Sequence, residues 1–166
     1  MEKSIVVKDS DLWQTPDDLF TWLKLFYNVD IDLCASADNK KCKQWCESIL
    51  TVPDDFLKDN RCGFMNPPYS DIAPFIEKAW HLSKHCPIVM LVPSSIKTCK
   101  YMDFLDKFSG KGYCRQWVSW IRWIDLPRRT KFTHPAKKVS SPSFGCSILI
   151  LDRTNKRVLD KIGSQE

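Results

Sequence analysis

Asn66-Pro67-Pro68-Tyr69 concentrates the residue types in this chain that could do chemistry. Two successive prolines fix φ and remove two backbone donors, so the carbonyls of the loop face outward as acceptors. An amide side chain stands on one side of them and an aromatic ring on the other. Rigid acceptors beside a ring suit a flat substrate that bears an amino group. An exocyclic amine on a base is a poor nucleophile, because its lone pair is delocalised into the ring. If the Asn66 side-chain oxygen and the Pro67 carbonyl each accept one of its N–H bonds, the nitrogen is drawn toward tetrahedral geometry and the lone pair becomes available without a strong base. Tyr69 is placed to stack on a base extruded from a duplex, offsetting the few kcal/mol that unstacking costs. The competing reading is a plain turn, since Asn-Pro and Pro-Pro are common loop punctuation.

The flanking elements decide where such a loop would sit. Cys62-Gly63-Phe64-Met65 reads as a buried strand. After the loop, Ile72, Phe75, Ile76, Ala79, Trp80 and Leu82 recur at helical spacing within 71–84. The tetrapeptide therefore lies on a strand-to-helix loop, which in an open α/β sheet borders the crevice where ligands bind.

Upstream, Thr15-Pro16-Asp17-Asp18 predicts a helix start, with Thr15 as N-cap, Pro16 at the first helical position and Asp18 completing a capping box. Leu19, Phe20, Leu23 and Phe26 would form the inner face, ending near Asn28. Trp13 before the cap either staples the helix to the core or covers a ligand. Residues 1–12 show little pattern. Residues 29–34 alternate like a strand, which puts Asp32 near the crevice edge, and 38–45 is a candidate short polar helix. Asp55-Phe56 pairs an acid with an aromatic just before the next strand. It suits either a cofactor's adenine amino group, with Phe56 packed against it, or a solvated turn with a buried Phe.

Pro87 to Pro93 is apolar throughout and bracketed by prolines, as a central parallel strand should be. Ser94-Ser95 predicts a helix to about Phe108, and two more strands are expected near 118–124 and 144–151. The charged tail after Arg153 is expected to fray. Strands alternating with helices from 29 to 108 imply an α/β architecture with a mostly parallel sheet, and 166 residues fit one domain.

Composition narrows the function. Five glycines cannot form a phosphate loop of the triphosphatase or dinucleotide type, so a cofactor without phosphates fits better. Eight cysteines without a Cys-x-x-Cys pair read as reduced thiols rather than a zinc site, and Cys62, Cys86 and Cys146 read as small buried hydrophobes in strands. No run approaches a membrane span and the amino terminus lacks a signal-type apolar region, so an intracellular setting is expected. From Lys97 to Lys138 there are 11 Lys or Arg against three Asp, a net of +8 in a chain whose total is +5. Within that stretch Arg128, Arg129, Lys131 and Phe132, with Trp117, Trp120 and Trp123, interleave cations and aromatics in a way suited to phosphate contacts and base stacking. A soluble surface over a Trp-rich core edge is the alternative.

Taken together, Trp13-Gln14-Thr15-Pro16 with Leu19-Phe20, Asp30 to Ala35, Asp55-Phe56, Asn66 to Tyr69, Val89 to Pro93, Arg129 to Phe132 and Ser141 to Phe144 resemble the phage-type DNA N6-adenine methyltransferases over about residues 11–152. The resemblance implies a compact Rossmann-like fold dependent on S-adenosylmethionine, with adenine in double-stranded DNA as acceptor. The setting it implies is the cytoplasm, that of the host for a phage- or prophage-encoded chain. Asn66, Pro67, Pro68 and Tyr69 take the catalytic-loop positions. Asp32, Cys34, Asp55, Phe56, Thr15 and Pro16 fall at cofactor positions, and Arg128, Arg129 and Lys131 at the DNA. The glycine-rich turn of methyltransferases generally is replaced by Ala35-Ser36-Ala37-Asp38, and no acid stands out for the cofactor ribose, Asp38 and Glu47 being the candidates. Methylation of another amino or amide group, in RNA or on a protein glutamine, shares the loop but does not need the charge pattern. An inactive nucleic-acid-binding relative is disfavoured by the intact loop.

Overall fold

The computed structural model describes residues 11–98, 120–127, 130–135, 137–140 and 144–154. Helix α1 spans Asp17–Tyr27, and its last turn closes on Asn28, whose left-handed φ of 54° is tolerated by an asparagine and whose N–H bonds to the Lys24 carbonyl. The helix starts one residue later than the sequence implies. Pro16 is the N-cap, Asp18 bonds the adjacent Leu19 amide instead of closing a capping box, and Thr15 is released to the interior. Phe20 and Leu23 are buried, whereas Phe26, expected inside, is exposed and leans on Trp22 at 4.9 Å. Its position carries it past the edge of the sheet-facing stripe.

Among the described residues eight strands follow: β1 Ile31–Asp32, β2 Gln44–Trp45, β3 Gly63–Met65, β4 Ile88–Pro93, β5 Ile121–Asp125, β6 Phe132–His134, β7 Lys137–Ser140 and β8 Cys146–Leu151. The main sheet has the order β2-β1-β3-β4-β8-β5. Its first four strands are parallel, while β8 runs antiparallel to both β4 and β5. The architecture is α/β with a mostly parallel sheet. β4 is central as expected, with a parallel neighbour on one side and an antiparallel one on the other. The region expected to be a short helix at 38–45 instead makes turns and ends in β2, because Cys46 N–H reaches the Asp32 carbonyl and draws the chain alongside β1. The hairpin β6–β7 carries no strong alternation and was not expected from the sequence.

Alternate residues of the strands feed the two faces. Ile88, Met90, Val92, Leu149 and Leu151 join helix α2 (Ala73–Leu82) on one face, and Val89, Leu91, Ile148 and Ile150 join α1 on the other. Gly63 allows β3 to lie close to β1, since a Cβ there would stand 2.6 Å from Leu33 Cδ1. Trp120 and Trp123, partly buried, pack against the α2-side core, in line with the reading of a Trp-rich core edge. Trp117, most of the helix expected after Ser94, the arm before Asp11 and the tail beyond Thr154 lie outside the described residues. Among the described residues no helix is long and apolar enough to cross a membrane.

Candidate active site

In the strand order β2-β1-β3-β4 the chain passes from β1 outward to β2 and then back across to β3, so the connections part between β1 and β3. Ligands bind beyond the carboxyl ends of strands at such a switch point. A cleft lies there, and its walls include Asp32 at the end of β1, Cys34, Glu47 just past β2, Asn66 and Pro68 after β3, and Thr15 ahead of α1. Asp32 and Asn66, more than 30 positions apart in the chain, are brought together by β1–β3 pairing, with Asp32 opposite Phe64 and Leu33 N–H bonded to the Phe64 carbonyl at 2.8 Å.

Asp32 is 3% exposed, and its carboxylate accepts the backbone N–H of Lys41 at 3.0 Å and, more weakly, that of Cys34 at 3.4 Å. Burial raises its pKa, and the two amides only partly oppose that. The same Lys41 extends its ammonium to Asp17 at 2.5 Å, tying the first turn of α1 to the loop that wraps Asp32. Thr15 is buried in the cleft wall and does not serve as the helix cap. Pro16 is buried but does not line the cleft.

Asn66 donates its side-chain N–H to the Trp13 carbonyl at 2.8 Å. Its oxygen makes no hydrogen bond among the described residues and the side chain lines the cleft. Pro67 is buried. The Tyr69 ring is half-buried and set edge-on to Phe144 at 5.7 Å, and its hydroxyl is turned inward against Cys146. Desolvation drives the phenol pKa well above its ordinary value, so Tyr69 is neutral and is no base.

Asp55 stands on an exposed turn, 3.9 Å from Lys58, and Phe56 packs on the α2-side core. Neither lines the cleft. Of the two acids considered for a ribose, Glu47 lines the cleft and Asp38 does not. Lys131 is exposed and borders a second groove with Trp22, Pro127 and Thr130. Arg128 and Arg129 lie outside the described residues. Six described cysteines are free, and burial lifts Cys34 to about 12 and Cys46 to about 11, beyond use as nucleophiles at neutral pH.

Several cleft contacts carried no signal in local periodicity. Asp11 takes the Ser70 N–H at 2.9 Å and the Ser70 hydroxyl at 2.7 Å, and Gln14 bridges to Thr133 in β6. Both contacts span more than 50 residues, so no local periodicity announces them. Lys41 sits in a polar stretch that reads as solvated surface.

A buried carboxylate and a loop amide thus share one cleft at the carboxyl edge of the strands of an α/β protein. Residues 3–165 match the family model described as DNA N-6-adenine-methyltransferase (Dam). The chain belongs to that family. It is 29% identical over 117 residues to a DNA N-6-adenine-methyltransferase of Escherichia phage T1, covering 69% of this chain and 45% of that protein. With a DNA N-6-adenine-methyltransferase of Haemophilus phage HP1 the identity is 38% over 85 residues, 48% of this chain and 47% of the relative. The chain thus spans about half the length of the curated relatives it matches.

Proposed function

We propose that the chain transfers a methyl group from S-adenosylmethionine to the N6 amino group of adenine in double-stranded DNA, on a compact Rossmann-like methyltransferase fold. One observation carries the reading: Asn66 lines the same cleft as buried Asp32, with its amide nitrogen already engaged and its oxygen left as an acceptor. Membership of the family and the names of the two relatives support it.

The cleft suits a cationic, phosphate-free cofactor. A carboxylate that burial pushes toward protonation is stabilised by a positive group, and Asp32 is that carboxylate. Glu47, past the end of β2, is assigned to the ribose hydroxyls, and Thr15 and Cys34 to the wall of the pocket. Pro16 is the buried cap behind that wall. Asp55 and Phe56 are assigned to the adenine end on the resemblance alone. The bound cofactor supplies an electrophilic methyl group on a sulfonium sulfur. Asn66 Oδ1 and the Pro67 carbonyl each accept one N–H of the target amine, freeing its lone pair, and the displaced proton passes to water. Pro68 keeps the loop rigid, and the Tyr69 ring stacks on the extruded base.

Incubating the protein with labelled S-adenosylmethionine and, separately, DNA, RNA and protein tests the assignment. N6-methyladenine in DNA is the expected product. Label found only in RNA or protein, with DNA blank, would sink the reading and favour the other amino or amide acceptors.

The DNA is held by the basic segment of 97–138. Its affinity is expected to fall steeply with salt, by about 0.9 in log–log slope for each phosphate neutralised. Replacing Arg128, Arg129 and Lys131 by Ala should lower that slope by up to ~3. A titration of Kd against salt that gives the same slope for both proteins places the DNA face elsewhere.

A further inference from the structure

We propose that residues 11–14 form a strap that fixes the polarity of the catalytic amide, so that the backbone carbonyl of Trp13, outside the catalytic loop, selects amino-bearing rather than carbonyl-bearing bases. The proposal rests on the reading of Asn66 as the acceptor for the target amine. A primary amide has an accepting oxygen and a donating nitrogen, and a free loop asparagine could present either end by flipping. A backbone carbonyl only accepts. With the Trp13 carbonyl 2.8 Å from the side chain of Asn66, only the NH₂ end can face it, and Oδ1 is left for the ligand. A flipped amide would set two acceptors against each other at that distance.

The strap is held at three points. Asp11 grips Ser70 through both carboxylate oxygens, at 2.9 and 2.7 Å, just past the catalytic loop. Gln14 pairs with Thr133, its N–H giving a 2.8 Å bond and its carbonyl accepting one of 3.4 Å. The Trp13 ring stands edge-on to buried His134 at 4.9 Å. Trp13 is thus a positioning residue acting through its main chain. The strap also joins the catalytic loop to the β6–β7 hairpin, which follows Lys131 and carries Lys137.

Asn66→Asp separates this role from a structural one, because it keeps the shape and replaces the donating nitrogen with an oxygen. Ionised, the new carboxylate opposes the Trp13 carbonyl. Protonated, it can donate to Trp13 and still accept the amine. Asp11, Asp32, Lys41 and Glu47 line the cleft and His134 lies behind Trp13, and all are common to both proteins. The variant-to-wild-type ratio of single-turnover methyl-transfer rates therefore isolates the substituted group. That ratio is expected to rise as pH is lowered from 8.5 to 6, by up to about tenfold per pH unit while the carboxyl titrates. Cofactor affinity measured on the same samples shows that the variant retains its fold. A flat ratio, whether near one or near zero, overturns the strap while leaving the activity of the wild-type protein standing. Failure of the wild-type protein to methylate DNA would instead remove the reading beneath it.

Discussion

Asn66→Ala is expected to slow methyl transfer to DNA by at least ~100-fold, the scale seen when a preorganised polar group is lost from a transition state, while cofactor affinity stays nearly unchanged. The amide accepts most strongly as the amine becomes tetrahedral, so its loss falls on the rate rather than on binding. Asn66 is already oriented by the Trp13 carbonyl, and no reorganisation is needed when the base arrives. Tyr69 should behave differently. Tyr69→Ala is expected to weaken binding of the extruded base by ~1–3 kcal/mol, the worth of one stacked base. Tyr69→Phe keeps the ring, and it removes a hydroxyl that is buried with no nitrogen or oxygen partner. It should retain most activity and fold about as stably, since the neighbour the buried hydroxyl loses is the weakly hydrogen-bonding Cys146 thiol. Single-turnover rates settle both points: an Asn66→Ala enzyme near wild-type speed, or a Tyr69→Phe enzyme as poor as Tyr69→Ala, would show the roles to be misassigned.

The parts of the fold set by local chemistry were legible in the sequence. The bracketed apolar run at 88–93, the helical spacing of Phe75, Ile76, Ala79 and Trp80, and the strand-to-helix placement of Asn66 follow from short-range patterns that tertiary packing reinforced. What failed did so where packing overrode local preference. Thr15 has a good capping side chain, but Pro16 takes the cap and Thr15 is buried toward the cleft. Residues 38–45 are polar enough for a surface helix, yet pairing with β1 makes their end a strand. Trp120 and Trp123 suited either a stacking surface or a Trp-rich core edge, and packing decides for the core edge, where both are partly buried.

The candidate site was legible by type and, for Asn66 and Asp32, by their expected place at the crevice edge. Asn66 and Asp32 stand out as a loop amide and a strand-end acid. Their shared cleft depends on β1 and β3 being neighbours, which no motif states. Asp11 and Gln14 act through main-chain and carboxylate contacts to distant loops, and residue identity there says little about role.

Asp32 carries the second large effect, and its direction follows from burial. Because its pKa is raised in the folded protein, the folded state binds the proton more tightly than the unfolded state does. The stability Asp32 contributes is therefore fully present below its ordinary pKa and is lost as pH rises through the elevated folded value. Above that raised pKa the protein without cofactor holds an ionised carboxylate at a cost, with two backbone amides in partial compensation. A positive ligand would relieve that cost. Cofactor affinity should accordingly climb with pH through the raised pKa and then level off. Asp32→Asn removes the charge at nearly constant volume, and the loss of a charge-assisted hydrogen bond of ~1.5–3 kcal/mol corresponds to roughly 10- to 150-fold weaker binding. The variant's affinity should also lose the component that titrates with Asp32. Calorimetric titration of S-adenosylmethionine into both proteins from pH 5 to 8, with thermal melts of the same samples, measures affinity and stability together. Equal affinities at neutral pH, in a variant that melts like the wild type, would leave Asp32 as the clasp of the 34–41 loop and nothing more.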